Sequence, residues 1–403
     1  MSGLLPLEEA LATVLENARQ LSTERVFLQE ALGRVLAEDI PSDTDKPLFD
    51  NSAMDGFAVR FEDISGKERV RLRLVGEVAA GQDSFPKVEK GCAVRIFTGA
   101  PVPQGADTVV PIEYTHTEGE WVVIEGEFKR GANIRRRGED VRAGDIVLRK
   151  GKEIRGYEIG MLAFVNRSTL RVFRKPRVGI LSTGDELLEV GEERTSPSQI
   201  RSSNHHMLYA LTSEAGGQPH QLGIVRDDPQ ELLSALRKCH EYDVMITTGG
   251  VSMGEKDYVQ YLVEKVGVRV LFHKLLIKPA KPVLFGTFGE GGLFFGLPGN
   301  PVSCAVAFDL LVYPALRTML GCKEVFKRKV EARLTEAFRR KDPRRREFAR
   351  AWVWFEKGEF LCKPYPKQGS HILTSLTESN AYLVVKEGVS EIPEGERAEV
   401  ILL

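Results

Sequence analysis

The chain has 403 residues, enough for about two to four domains. Its 42% hydrophobic content suits packed cores and excludes a disordered chain. Lys plus Arg number 56 and Asp plus Glu 57, a balance that argues against a dedicated nucleic-acid binder.

In chain order, the spacing of Leu7, Leu11, Val14, Leu15 and Ala18 predicts an amphipathic helix over residues 7–20. This stretch carries carboxylates and lacks a basic leading segment, so it does not read as a signal peptide. Residues 41–50 are polar and carry prolines, and read as a linker. Residues 69–125 hold short alternating runs separated by Gly, Pro and Asp. Strands are predicted at residues 70–74, 93–97, 108–111 and 121–124, a small β-rich unit.

From Arg177 the pattern changes. Buried strands are expected at 177–182, 243–248, 268–273 and 283–288, with helices at 204–215 and 229–240. Asn300 and Pro301 mark a helix start, Asn as N-cap and Pro in the first turn, running to about Met319. Alternating strands and helices predict a parallel sheet covered on both faces, with ligands beyond the carboxyl ends of its strands. The longest uncharged run, residues 291–308, is broken by glycines and by Pro298 and Pro301, so no membrane span is expected. Residues 323–350 carry twelve Lys/Arg against five Asp/Glu, which reads first as a solvated surface. Strands at 348–355, 359–365 and 381–387 form a last β unit. Cys92, Cys239, Cys304, Cys322 and Cys362 are dispersed. They suggest neither a disulfide framework nor a CxxC zinc site, and suit a reducing cytoplasm.

Five segments carry the chemistry. Residues 50–58, DNSAMDGFA, have an Asx-turn reading on their own. Residues 97–107 place Thr98 and Gly99 at a strand end, where backbone N–H groups suit an anion. Ser182-Thr183-Gly184-Asp185-Glu186 sets two carboxylates after a strand; the plain reading is an acidic helix start. Thr247–Gly254 puts Gly249, Gly250 and Ser252 after a buried strand, followed by Asp257. These glycines let backbone approach a phosphate, yet the run is neither GxGxxG nor a Walker A loop. Lys274, Lys278 and Lys281 share a proline-stiffened loop, followed by LPGNPVS with Ser303. Carboxylates for Mg²⁺ and lysines for phosphate oxygens suit a phosphate ester.

Taken together and in order, NSAMDGFA, FTGAPVPQGADTVV, RRRGEDVRAGD, STGDEL, Arg226-Asp227-Asp228, TTGGVSMGEKDY, IKPAKP, LPGNPVS and KQGSHI resemble the MoeA family, also seen in the C-terminal domain of gephyrin. The resemblance spans essentially the whole chain. It implies an α/β plus β multidomain fold. A discontinuous linking domain would take residues 1–45 and 136–174, and an inserted β-rich domain 46–135. A doubly wound MogA-like α/β domain would take 175–322, and a C-terminal β barrel 323–403. It implies a cytoplasmic homodimer that inserts molybdate into adenylylated molybdopterin with Mg²⁺-dependent release of AMP. A MogA-type adenylyltransferase is an expected partner; nucleic acid and membrane are not.

Carried over by residue, the resemblance places Asp55, Thr98 and Asp140 across the dimer interface. It assigns Glu186, Asp227 and Asp257 to catalysis and to Mg²⁺, and Ser182, Gly249, Gly250 and Ser252 to the substrate. Lys274 and Lys278 would hold the phosphoanhydride. Lys281, Ser303, Arg350 and Ser370 are the candidates for molybdate, since a tetrahedral oxyanion needs cations and hydroxyl donors. Family members often carry Asp where this chain has Ser202, which removes a charge there. Two other readings stand beside this one: an adenylyltransferase acting on plain molybdopterin and ATP, and a non-enzymatic scaffold.

Overall fold

The structure, a computed structural model, describes residues 4–82, 85–250 and 258–403. Ser252 and Asp257 lie outside the described residues. The chain divides into two compact units.

The first unit comprises Met1–Ala37, Gly151–Arg155 and Thr169–Leu403. Its centre is a six-stranded sheet of β1 (Arg177–Thr183), β2 (Gln218–Val225), β3 (Val244–Thr248), β4 (Arg269–Lys274), β5 (Pro282–Phe288) and β6 (Gly292–Leu297), in the order β2-β1-β3-β6-β5-β4. β1 runs parallel to β2 and β3, and β3 runs parallel to β6. The all-parallel expectation fails at the other edge, where β5 is antiparallel to both β4 and β6. The reason is the connection. Residues 289–291 leave only a tight turn between β5 and β6, whereas a parallel step needs a crossover of roughly a dozen residues. Strand β6 was not predicted: its GLFFGL run is buried on both faces and shows no alternation.

Side-chain period sorts the two faces. Val178, Ile180, Val244 and Ile246 pack with α1 (Leu7–Asn17), α2 (Asn204–Glu214) and the 301–319 helix. Leu181, Met245, Leu284 and Phe294 point the other way, against Leu232 and Leu236 of α3 (Pro229–Arg237) and Val259, Leu262 and Val263 of α4 (Tyr258–Lys265). The sheet is therefore doubly wound. The last helix begins as α5 (Pro301–Ala307), passes through a π turn at Phe308–Val312 and resumes at Tyr313–Met319. Pro314 has no N–H for the Leu310 carbonyl, which accounts for the irregular turn. Asn300 occupies the N-cap position, but its side chain makes no capping bond. The 301–319 stretch is long and apolar enough to cross a membrane by length alone, yet 83% of it is buried as a core helix.

The C-terminal part closes into a five-stranded barrel of β7 (Lys329–Leu334), β8 (Arg346–Glu356), β9 (Glu359–Pro364), β10 (Ala381–Val385) and β11 (Arg397–Leu402). Ala349, Ala351 and Val353 fill the barrel, while Phe348 and Tyr382 pack on the α/β core. The basic run is thus not simply solvated surface. Arg350 shares the outward face of β8 with Phe348 and is completely buried, and Arg340 is buried as well. Ile277–Lys278 add to this barrel by pairing with Arg346–Glu347.

The second unit comprises Glu38–Lys150 and Gly156–Ser168. It holds a six-stranded sheet in the order Thr108–Pro111, Gly56–Val59, Cys92–Ile96, Arg69–Val78, Trp121–Glu125 and Thr115–Glu118. The 41–50 segment is no free linker. Ile40–Pro41 pairs with Ile146–Leu148, and Lys46 bridges to Val141.

Candidate functional site

In the first unit, a cleft of about 680 Å³ opens beyond the carboxyl ends of β1, β2, β3 and β6. The chain leaves β1 outward to β2 and then crosses to β3. The cleft therefore sits where the winding reverses, the usual ligand position of an open α/β sheet. Its wall includes Ser182, Thr183 and Gly184 at the end of β1, Glu186, Ser202 and Asn204, Asp227 after β2, Thr248–Gly250 at the end of β3, and Pro298–Pro301 after β6.

Glu186 and Asp227 come together on this wall. The Thr183 hydroxyl donates to Asp227 Oδ1 at 2.7 Å, and Asp185 Oδ1 accepts the Asp227 N–H at 3.2 Å. Gly249 adopts φ +94°, and a Cβ there would stand 2.3 Å from the Thr183 carbonyl oxygen. A side chain is excluded at that point, so two strand ends meet through bare backbone. Ser182 is fully buried and faces Ser202 and His205.

Asn204, which sequence reasoning did not select, spans the cleft wall. Its amide nitrogen donates to Thr248 Oγ1 at 2.9 Å and to the Gly299 carbonyl at 2.7 Å. Because Gly299 O can only accept, the amide orientation is fixed. That leaves Asn204 Oδ1 buried without a partner. The position looks in the sequence like an ordinary helix start. Its role depends on Gly299, far away in the chain.

The other candidates lie elsewhere. Among the described residues, the wall contains Pro282 but none of the three lysines of the 274–281 loop. Lys278 Nζ pairs with the buried Glu347 at 3.0 Å, and Lys281 is exposed. Ser303 is buried in α5. The Ser370 carbonyl accepts the Val302 N–H at 3.1 Å, which seats the barrel segment against α5. His371 and Leu373 of that segment join the wall. The Arg350 guanidinium reaches Ser375 Oγ at 3.2 Å, Phe348 O at 3.3 Å and Gly369 O at 3.5 Å. It thus stands one layer behind the 369–373 rim, and burial pulls its pKa below the usual arginine value.

In the second unit, Thr98 N and Oγ1 both donate to Asp55 Oδ1 at 2.7 Å. Those bonds hold the Asp55 pKa below the usual carboxylate range. Asp140 pairs with Lys46 at 3.0 Å.

Fold and cleft define a multidomain α/β protein with a ligand site that carries Glu186 and Asp227 at a switch point. Comparisons with known proteins narrow that class. Residues 5–165 match the MoeA N-terminal region (domain I and II), residues 179–318 a family described as "Probable molybdopterin binding domain", and residues 331–403 the MoeA C-terminal region (domain IV). The chain is 37% identical to the molybdopterin molybdenumtransferase of Bacillus subtilis (strain 168), covering 99% of this chain and 94% of that one. It is 36% identical to the enzyme of the same name from Haemophilus influenzae, covering 98% of each. The crystal structure of the molybdopterin biosynthesis moeA protein from Pyrococcus horikoshii OT3 superposes with a TM-score of 0.85 at 35% identity, covering 99% of this chain and 100% of that one. The chain belongs to the MoeA family.

Proposed function

We propose that this protein is a molybdopterin molybdenumtransferase, which transfers molybdate to adenylylated molybdopterin in the making of the molybdenum cofactor. The observation that carries the reading is the switch-point cleft. It is large, lined by both polar and apolar groups, rimmed by Glu186 and Asp227, and floored by bare glycine backbone at Gly249 and Gly250. Such a floor suits a phosphorylated ligand at close range, and the unpartnered Asn204 Oδ1 offers an acceptor for a ligand N–H.

The residues fit Mg²⁺. Glu186 and Asp227 are hard oxygen donors on an open wall that leaves room for water. They would hold the ion, with Asp257 a further candidate. When bound, Mg²⁺ supplies Lewis-acid polarisation of the phosphoanhydride. The chain's own part is placement. The Thr183 hydroxyl orients the Asp227 carboxylate, and the close approach of Gly249 to Thr183 fixes the floor. Water adds to a phosphorus of the anhydride, the P–O bond breaks, and AMP leaves. Lys274, Lys278, Lys281, Ser303 and Ser370 remain the proposed phosphate and oxyanion contacts, and Arg350 would draw the oxyanion by its charge from one layer behind the rim.

A homodimer belongs to the same proposal, with Asp55, Thr98 and Asp140 of one chain serving the cleft of the other. So does delivery of substrate by a MogA-type adenylyltransferase. The test is turnover of purified adenylylated molybdopterin with molybdate and Mg²⁺, reading AMP release and formation of the molybdenum-bound product. AMP release without molybdenum incorporation, or turnover of plain molybdopterin with ATP instead, would overturn the reading.

A further inference from the structure

Behind the cleft wall lies a second cluster of ligating groups. Glu189 Oε1 stands 3.1 Å from His205 Nε2 and 2.9 Å from His206 Nε2. The three ligand atoms all lie within 4.8 Å of one another. Both histidines sit in the first turn of α2, and their rings lie 4.1 Å apart.

The remaining ring nitrogens are also engaged. Ser202 Oγ is 2.7 Å from His205 Nδ1, and the Gln221 amide is 3.2 Å from His206 Nδ1. Metal-bound imidazoles need such partners, which fix the ring and direct the free lone pair outward. Ser202 can accept an Nδ1–H directly, and Gln221 can do so once its amide is turned to present oxygen. The His205 side chain is only 2% exposed, whereas those of His206 and Glu189 are 41% and 40% exposed. The cluster is therefore anchored on the inside and open to solvent on the outside.

We propose that Glu189, His205 and His206 form a divalent-metal site for a borderline cation such as Zn²⁺, with solvent in the fourth position. Two imidazoles and one carboxylate are the donor set of open zinc sites and a poor match to Mg²⁺. The site is thus separate from the carboxylates assigned to Mg²⁺ and does not depend on the activity proposed above. Bound metal would tie the segment after β1, which carries Glu186, to the start of α2, where Asn204 and Ser202 form the cleft wall. It would stiffen one side of the cleft without touching the ligand.

The experiment uses the full chain, stripped with chelator and titrated with Co²⁺ and then with Zn²⁺ in excess Mg²⁺. Visible absorption reports Co²⁺ geometry, and calorimetry reports Zn²⁺ stoichiometry. One equivalent per chain is expected, with tetrahedral-type Co²⁺ bands lacking the thiolate charge transfer that Cys92 or Cys322 would give. Glu189→Gln and His206→Ala should each weaken uptake by at least about a hundredfold, since each removes one of three protein donors. Ser202→Ala should weaken it by about ten- to a hundredfold. Far-ultraviolet circular dichroism confirms that each variant is folded, and the half-exposed His206 position carries the test if Glu189→Gln fails to fold. No stoichiometric uptake by the wild type, or equal uptake by wild type and His206→Ala, would overturn the proposal. The first result would leave a purely hydrogen-bonded His–Glu–His array.

Discussion

Replacing Asn204 with Ala tests the cleft wall directly. The side chain makes two hydrogen bonds, 2.9 Å to Thr248 Oγ1 and 2.7 Å to Gly299 O, and joins α2 to the ends of β3 and β6. Each bond is worth about 1 kcal/mol net. Thr248 is buried but keeps a longer bond to Pro298 O at 3.3 Å, and Gly299 is exposed enough for water to replace its lost donor. Neither partner is left wholly unsatisfied, and removing the buried, unpartnered Oδ1 offsets part of the lost bonding, so the expected loss is about 1 kcal/mol. Denaturant unfolding should show a lower midpoint with an unchanged slope. Because Oδ1 has no partner within the wall and Asn204 lines the cleft, affinity for adenylylated molybdopterin should also fall by roughly tenfold, which corresponds to about 1.4 kcal/mol. Calorimetric titration of the folded variant measures this separately. A stability loss below about 0.5 kcal/mol would refute the account of the wall, and unchanged ligand affinity would refute the role given to Oδ1.

Gly249→Ala should cost at least about 2 kcal/mol, from left-handed strain plus the displacement of Thr183 O, and thermal unfolding within error of wild type would contradict the close approach. Glu186→Gln and Asp227→Asn should raise the Mg²⁺ concentration needed for AMP release, and an unaltered Mg²⁺ titration in both would remove them from the metal site. Arg350→Met should destabilise the 369–375 segment through its lost bonds. If Arg350 also draws the oxyanion, half-saturating molybdate should rise about ten- to a hundredfold, and an unchanged titration places molybdate elsewhere. Asp243 accepts two bonds from Arg174, at 2.7 and 2.6 Å, and one from Arg177 N at 2.8 Å. Burial opposes its ionisation, but these bonds keep the folded pKa below the ordinary 3.8. The folded state therefore binds fewer protons than the unfolded one. The contribution is present above about pH 4 and is lost as pH falls through the depressed pKa, so Asp243→Asn should flatten the acid limb of stability. An acid limb identical to wild type would count against it.

Local pattern carried much of the architecture. The amphipathic period expected over residues 7–20, of which the helix takes Leu7–Asn17, the buried runs of β1, β3 and β5, and the turn residues between the short strands of the second unit are properties of neighbouring residues. They read correctly because the chemistry that forms them is local. The ordered motifs likewise placed Ser182, Glu186, Asp227, Gly249 and Gly250 on one cleft, since each lies at or just beyond the carboxyl end of a strand. What depended on distant partners stayed hidden. The direction of β5, and the existence of β6, were decided by a three-residue turn and by burial on both faces. The resemblance marked Arg350 as a candidate for molybdate, but only strand pairing decides that its side chain is buried beside Phe348 against the α/β core. Asn204 becomes a wall residue only because α2 and the loop after β6 converge. Glu189 meets His205 and His206 only because the segment after β1 folds back over α2. The sequence by itself determined which segments could carry charge, backbone amides and hydroxyls to strand ends. Only the tertiary structure decided which of those groups face one another, because hydrogen bonds and ligand sites are set by distances of about 3 Å between residues far apart in the chain.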